Sequence, residues 1–299
     1  MAPHRPDATL VKGISKYQEL AFHIMPRRND SFALFPMKID VDNAINYLEK
    51  TNVNRSDKIT LFDIILTALA QTLFLRPRAN RFVSGGRLWQ RNQIKISFVV
   101  KREKSDDGEE VNATLYFQPN DTLFSIHDRL HEEVYNARQG ENPNAKDVKF
   151  FGSMPRWFIK LLIKLVWKLD KMNLPINSIT KDLPMFSTIY LAHLGSLNMH
   201  AIFHHLFEMG TTSIFAVIGK IHRDTVVNQE TGEVEVHRVI HLNFNLDERI
   251  ADGIYWGKTL DILQNFIENP QQLESPLNLT EEQIIALHLK EEKSKTKRK

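Results

Sequence analysis

Histidine and carboxylate residues gather in the stretch HAIFHHLFEMGTTS (200 to 213), which carries His200, His204, His205 and Glu208, with His193 just upstream. At helical spacing His204 and Glu208 would face one side with His200 a turn below, so that a carboxylate could orient an imidazole as a general base. The same spacing admits zinc, yet no recognised zinc signature is met, HEXXH is absent, and no metal is expected. Packing or interface use of these residues is the competing reading. Arg76, Arg78, Arg81, Arg87 and Arg91 form a second group, suited to a phosphate or an acidic ligand, or to a solvated or subunit-pairing face. Gly85 and Gly86 beside them make no phosphate loop, because neither GxxxxGK nor GxGxxG is present.

A third feature is PRWFIKLLIKLVWKLDKMNLP (155 to 175). On a helix Lys160, Lys164, Lys168 and Lys171 fall within an arc of about 80°, and nearly everything else from Trp157 to Leu169 is apolar. Such a helix is too short to span a bilayer but suits a membrane surface, with Trp157 and Trp167 near the headgroups. Packing on its own sheet or on a neighbouring subunit, or binding another partner, are the other readings.

The elements that must position these groups alternate in type. Helical spacing marks 41 to 51, 60 to 75 (with Asp57 or Thr60 as cap), 122 to 138 and 252 to 270. Segments 32 to 41, 94 to 102, 111 to 118, 185 to 195, 211 to 221 and 234 to 246 read as strands. SDDGEE turns one hairpin, and NQETGE is read as the turn between the last two strands. Strands and helices without strict βαβ alternation predict an α/β chain built as a two-layer α+β sandwich with a mixed sheet. Thr280 and Gln283 have capping-box spacing for a C-terminal helix before the basic tail KSKTKRK.

The 299 residues, 42% hydrophobic and 25% charged, describe a globular chain able to bury a sizeable core. No cysteine is present, which excludes disulfides, thiolate metal sites and a cysteine nucleophile. There is no signal-type apolar region, so a cytoplasmic protein is expected, with peripheral membrane contact as an option. A net charge of +3 argues against a nucleic-acid partner.

The segment LNFNLDERIADGIYWGKTLDILQNFIENPQQL (242 to 273) resembles the C-terminal signature of the dihydrolipoamide acyltransferase catalytic domains of 2-oxo acid dehydrogenase complexes, which reads DHRxxDG before a helix ending near ENP. TIYLAHLGSL (188 to 197) is similar to that family's TISNLG strand, SIFAVIGKI (213 to 221) to the strand after it, and RPRANRFV (76 to 83) to the stretch after its long helix. The resemblance runs in family order over about residues 12 to 273. It implies the fold of chloramphenicol acetyltransferase, a homotrimer, a CoA thioester as co-substrate, and active sites in channels between subunits. It further implies a catalytic-type domain over 12–276 interrupted by an insertion over 140–182, with a C-terminal helix and tail over 277–299. No lipoyl-bearing or subunit-binding domain matches, so the chain is not expected to form the core of a standard 2-oxo acid dehydrogenase complex.

Two positions depart from the family. Its DHRxxDG histidine, the general base, aligns with Glu248, and its TISNLG serine, which stabilises the oxyanion, aligns with Ala192. An ordinary carboxylate, with a pKa of about 4.3, is a poor base for a thiol or alcohol unless burial raises it. Asp252, Gly253 and Arg249 keep the positions that shape the family's site. The candidate catalytic residues are therefore Glu248, His204 and His205 as bases and His193 as oxyanion donor, with Arg81 and Arg87 as candidates for a CoA phosphate. An acyltransferase with an atypical site, or a non-catalytic trimeric scaffold that binds a ligand, partner or membrane surface, both fit this pattern.

Overall fold

In the computed structural model, which describes residues 4–289 except 104, 106, 140–151 and 229, the fold is organised around strand β10 (Val234–Asp247). Leu242, Phe244 and Leu246 alternate with Asn243, Asn245 and Asp247, so the strand turns an apolar face to the helices and a polar face the other way. β10 pairs antiparallel with β2 (Phe32–Asp40) on one side and with β8 (Ile214–Ile218) on the other. β7 (Ile189–His193) lies parallel to β8 and to β5 (Ile94–Lys101), and β5 closes an antiparallel hairpin with β6 (Glu110–Phe117). The resulting order is β2-β10-β8-β7-β5-β6, a mixed sheet.

Four strands escape the expected set. β9 (His222–Val227) pairs with the first half of β10, so NQETGE turns β9 into β10 rather than β8 into β10. Its exposure alternates without an apolar run, which is why the sequence does not announce it. A second, three-stranded sheet joins β1 (Ala8–Leu10), β4 (Arg87–Arg91) and β3 (Arg81–Ser84). Gly85 and Gly86, at φ +56° and +67°, turn β3 into β4, a backbone conformation that glycine adopts without strain.

The helices cover one face of the main sheet. α1 (Lys16–Ile24), through Phe22, and α2 (Asp42–Thr51), α3 (Leu61–Leu75) and α4 (Leu123–Gln139) pack into the core. α3 starts in a capping box, Thr60 accepting from the Asp63 N–H and Asp63 accepting from Thr60 N–H at 2.8 Å, and is buried from Asp63 to Phe74. After α5 (Arg156–Lys171) and the one-turn α6 (Asn177–Thr180), α7 (Gly253–Glu268) completes the layer. α8 (Glu281–Leu287) begins in the expected Thr280/Gln283 capping box and buries Leu287 in the same core, so it belongs to the folded unit. β1 extends that unit ahead of residue 12. The loop with Gly140, Asn142, Pro143 and Asn144 and the tail KSKTKRK lie outside the described residues. No described helix is long and apolar enough to cross a membrane.

Candidate functional site

The turn from β10 into α7 carries the DERIADG segment, and a buried ion pair holds it. Asp247 accepts from Arg249 at Nε (2.8 Å) and Nη2 (2.7 Å), and both side chains are inaccessible. Arg249 also donates to the Met25 carbonyl, and Ser31 Oγ donates to Asp247 at 3.3 Å. Asp252 caps α7 by accepting from the Tyr255 N–H at 2.8 Å, and Gly253 opens that helix. The Glu248 N–H donates to the Ser31 carbonyl at 2.9 Å, while its side chain is exposed and has no ion-pair partner among the described residues.

Glu248 stands in the wall of a cavity of about 530 Å³ shared with Lys12, Tyr17, Gln18, Arg78 and Arg81. Segment 11–14 divides it from a second cavity of about 600 Å³ lined by Lys12, Lys16, His23 and Arg87. Arg81 donates to Gln90 Oε1 at 3.0 Å; burial first, and the like charge of Arg78 second, pull its guanidinium down to about 10. The rest of the arginine group is structural. Arg76 lies 3.8 Å over the Tyr255 ring and donates to Thr259 Oγ1, and Arg91 is buried, donating to the Phe186 and Thr211 carbonyls. Burial brings Arg91 down to about 9.

His193 and Ala192 face opposite sides of the sheet. His193 stacks on Phe62 of α3, centroids 5.1 Å apart, and burial holds it below the ordinary histidine value. Ala192 packs on the other face with Tyr190, Phe215 and Val217. There the 200–208 segment crosses the sheet, and it is irregular rather than helical. The cause is β10's polar face. Asn245 Oδ1 accepts from the His204 N–H at 3.2 Å and Asn243 donates to the Ala201 carbonyl at 3.3 Å, which satisfies backbone groups that a helix would use internally. His204 and Glu208 therefore do not pair. Glu208 accepts from the Asn29 N–H, while His204 stacks on Phe215 at 4.0 Å and on His205 at 4.7 Å.

Both imidazoles keep a usable tautomer. His204 Nδ1 lies 3.0 Å from the His205 carbonyl and His205 Nδ1 3.0 Å from the Leu206 carbonyl. A ring N–H donated to a carbonyl leaves Nε2 as the lone-pair nitrogen, the arrangement a general base needs. His200 meets different neighbours, His222 and, beyond it, His241, whose ring is held below the ordinary histidine value by burial and then by His222.

Helix α5 is tied down at one end. Arg5, from the N-terminal segment, donates to Asp170 Oδ1 at 2.7 Å, Ser84 Oγ donates to the Asp170 carbonyl, and Val166 is buried. A side chain at Gly85 would collide with Asn173 and the Lys171 carbonyl, so the β3–β4 turn is the surface on which the helix end rests. The rest of the helix leaves Trp157 (69%), Leu161 (58%) and Leu165 (47%) exposed beside the lysine row.

No family model and no curated protein matches the chain. Solved structures do. A probable dihydrolipoamide acetyltransferase of Listeria monocytogenes superposes with a TM-score of 0.58 at 14% identity, over 91% of this chain and 98% of that one. A dihydrolipoamide acetyltransferase of Azotobacter vinelandii, studied for the roles of a serine, a histidine and an asparagine in its catalytic mechanism, gives 0.58 at 12% identity, over 88% and 93%. A chloramphenicol acetyltransferase gives 0.54 at 10%, over 87% and 99%. The chain has the chloramphenicol-acetyltransferase-like fold shared with these acyltransferase cores.

Proposed function

We propose that the chain is a CoA-dependent acyltransferase-like protein working as a homotrimer, which moves an acyl group from a CoA thioester to a thiol, hydroxyl or amine acceptor. The observation that carries this reading is the basic groove of two adjoining cavities, with Lys12, Lys16, Arg78, Arg81 and Arg87 around it and Glu248 in its wall. Each of the two cavities has a volume in the range of small-molecule sites, and the cations suit the phosphates of CoA.

Within one chain the groove does not include His204 or His205, so the two halves would meet only across a subunit boundary. Tyr17, Leu20 and Ile24 on α1, and Leu197, Met199, Ile202 and Phe203 on the 194–208 segment, are exposed apolar surfaces of the kind a second copy covers. Two different patches fit a closed head-to-tail ring. In such a channel the Nε2 of His204 or His205 takes the acceptor's proton as the acceptor's lone pair attacks the thioester carbonyl. The tetrahedral intermediate then expels the CoA thiolate, which recovers the proton. Glu248 would orient the acceptor or the base, and Asp252, Gly253 and Arg249 hold the turn that presents it.

Ala192 favours a second reading, a non-catalytic scaffold, because it brings no hydroxyl to the position where the related family has its oxyanion donor. Titration calorimetry with CoA and a panel of acyl-CoAs tests the shared premise. Saturable binding at one site per subunit, weakened at least tenfold by Arg81→Glu, is the expected result. No binding across the panel overturns both CoA-based readings. Turnover lost in His204→Ala or His205→Ala but not in His237→Ala separates the enzyme from the scaffold.

A further inference from the structure

Three histidines from three separate elements converge away from the groove. His200 follows β7, His222 opens β9, and His241 lies mid-way along β10. Each offers a ring nitrogen, and the three nitrogens lie within 4.8 Å of one another. The ring centroids are 4.8 Å apart for His200 and His222 and 5.1 Å for His222 and His241.

We propose that His200, His222 and His241 form a binding site for a divalent late first-row transition metal, Zn²⁺ foremost, with a fourth position open to water or another ligand. Two imidazoles bound at about 2.0 Å to a tetrahedral ion place their nitrogens about 3.3 Å apart and their ring centroids about 5 Å apart. The His200–His222 and His222–His241 ring pairs already stand at that spacing, and side-chain rotation would bring the nitrogens, now within 4.8 Å of one another, onto one ion. An all-nitrogen donor set selects zinc, copper, nickel or cobalt over magnesium and calcium, which take oxygen ligands.

The backbone under the site is fixed before any ion arrives. The Lys220 N–H donates to the Met199 carbonyl at 2.8 Å, and Asn243 donates to the Ala201 carbonyl, so His200 is held on both sides. Gly219 permits this closeness, since a Cβ there would sit 2.6 Å from the Ala201 nitrogen. The Gly219 N–H donates to the His241 carbonyl at 2.9 Å, tying the third ligand's strand to the same point. His222 Nδ1 lies 3.2 Å from the Lys220 carbonyl, a contact that turns Nε2 outward as the ligand atom and orients the ring.

Other described clusters lack this openness. His127 already contacts Asp57 and Asp63 through its two nitrogens, and His237 contacts Asp40 and Glu235. The rings of His200 and His241, by contrast, have no hydrogen-bond partner among the described residues. A bound ion would clip the 194–201 segment to β9 and β10, and this holds whether or not the chain transfers acyl groups.

The test is a Zn²⁺ titration of the tag-free, full-length protein by calorimetry, repeated with His200→Ala, His222→Ala and His241→Ala, and with His237→Ala and His204→Ala for comparison. One ion per chain, a thermal midpoint that rises with Zn²⁺, and at least a tenfold loss of affinity in each of the first three variants but neither of the last two are expected. Should the strand variants His222→Ala or His241→Ala fail to fold, His200→Ala, on an exposed loop, carries the test by itself. The absence of saturable Zn²⁺ binding by the unmodified chain, unchanged affinity in His200→Ala, or a loss that follows His237→Ala overturns the assignment. Co²⁺ added in place of zinc is expected to give the intense visible absorption of a tetrahedral site, and the weak spectrum of the hydrated ion contradicts that geometry.

Discussion

The buried pair beneath Glu248 makes an asymmetric prediction about the two substitutions that would break it. Removing one partner of a buried ion pair costs about 3 to 5 kcal/mol, chiefly because a charge is left without compensation. Arg28 sets where in that range each variant falls. Its guanidinium is buried and donates to the Glu208 and Val83 carbonyls; burial holds it below the ordinary arginine value, with the attraction of Asp247 opposing. Arg249→Ala leaves Asp247 with Ser31 Oγ and the field of Arg28, and should cost about 3 kcal/mol. Asp247→Ala strands two buried guanidiniums, Arg28 and Arg249, and should cost about 5 kcal/mol. For a chain of this size each kcal/mol moves the thermal midpoint by roughly 2 to 4 °C, giving roughly 6 to 12 °C and 10 to 20 °C. The assay is thermal and urea unfolding followed by circular dichroism and tryptophan fluorescence, whose coincidence checks two-state behaviour. The double variant Asp247→Leu/Arg249→Met should recover only part of the loss, since it removes the stranded Arg249 charge but leaves Arg28 without Asp247. Losses under about 1 kcal/mol in either single variant, or Arg249→Ala costing more than Asp247→Ala, would refute the reasoning.

Other outcomes follow from the same physics. Burial and then the Arg91 charge bring the Lys95 ammonium down to about 7 from its ordinary 10.5, while it donates to the Lys181 carbonyl. A folded-state value below the unfolded one means the unfolded chain holds the extra proton between the two, so stability should rise as pH climbs from about 7 toward 9. Lys95→Met should flatten that rise in urea midpoints measured across the window, and an equal slope in both proteins contradicts it. Vesicles containing anionic lipid should co-sediment the unmodified protein through the exposed Trp157, Leu161 and Leu165 row, and the triple change of Lys160, Lys164 and Lys168 to Glu should abolish this. Wild-type protein left in the supernatant removes the membrane reading.

The elements with strong local signals were legible. α3 carries its capping box and an unbroken apolar run, and α5 its lysine row, because each depends on neighbours within a few residues. β9 and the β3–β4 hairpin were not. β9 has the polar alternation of a solvated edge, and in the hairpin charged residues obscured a turn that Gly85 and Gly86 could have announced as a two-residue hairpin connection. Around the candidate site, the Asp252 cap and the Asp247–Arg249 pair of the DERIADG turn form between residues only two or three apart.

The irregular path of 200–208 depended on something the local spacing of His204 and Glu208 cannot contain: the side chains of Asn243 and Asn245 on a strand forty residues later in the chain. A trace of it does exist in the sequence. LNFNLD alternates apolar residues with Asn243, Asn245 and Asp247 in what becomes a central strand, and buried polar residues at period two require partners on the facing layer. The segment that supplies those partners must leave its own backbone groups free to bond, which excludes a regular helix. The same reasoning separates the histidines. Those fixed by their own neighbours, His204 and His205, keep local roles, whereas His200 acquires its neighbours only because Gly219 lets two backbones touch and brings β9 and β10 beneath it.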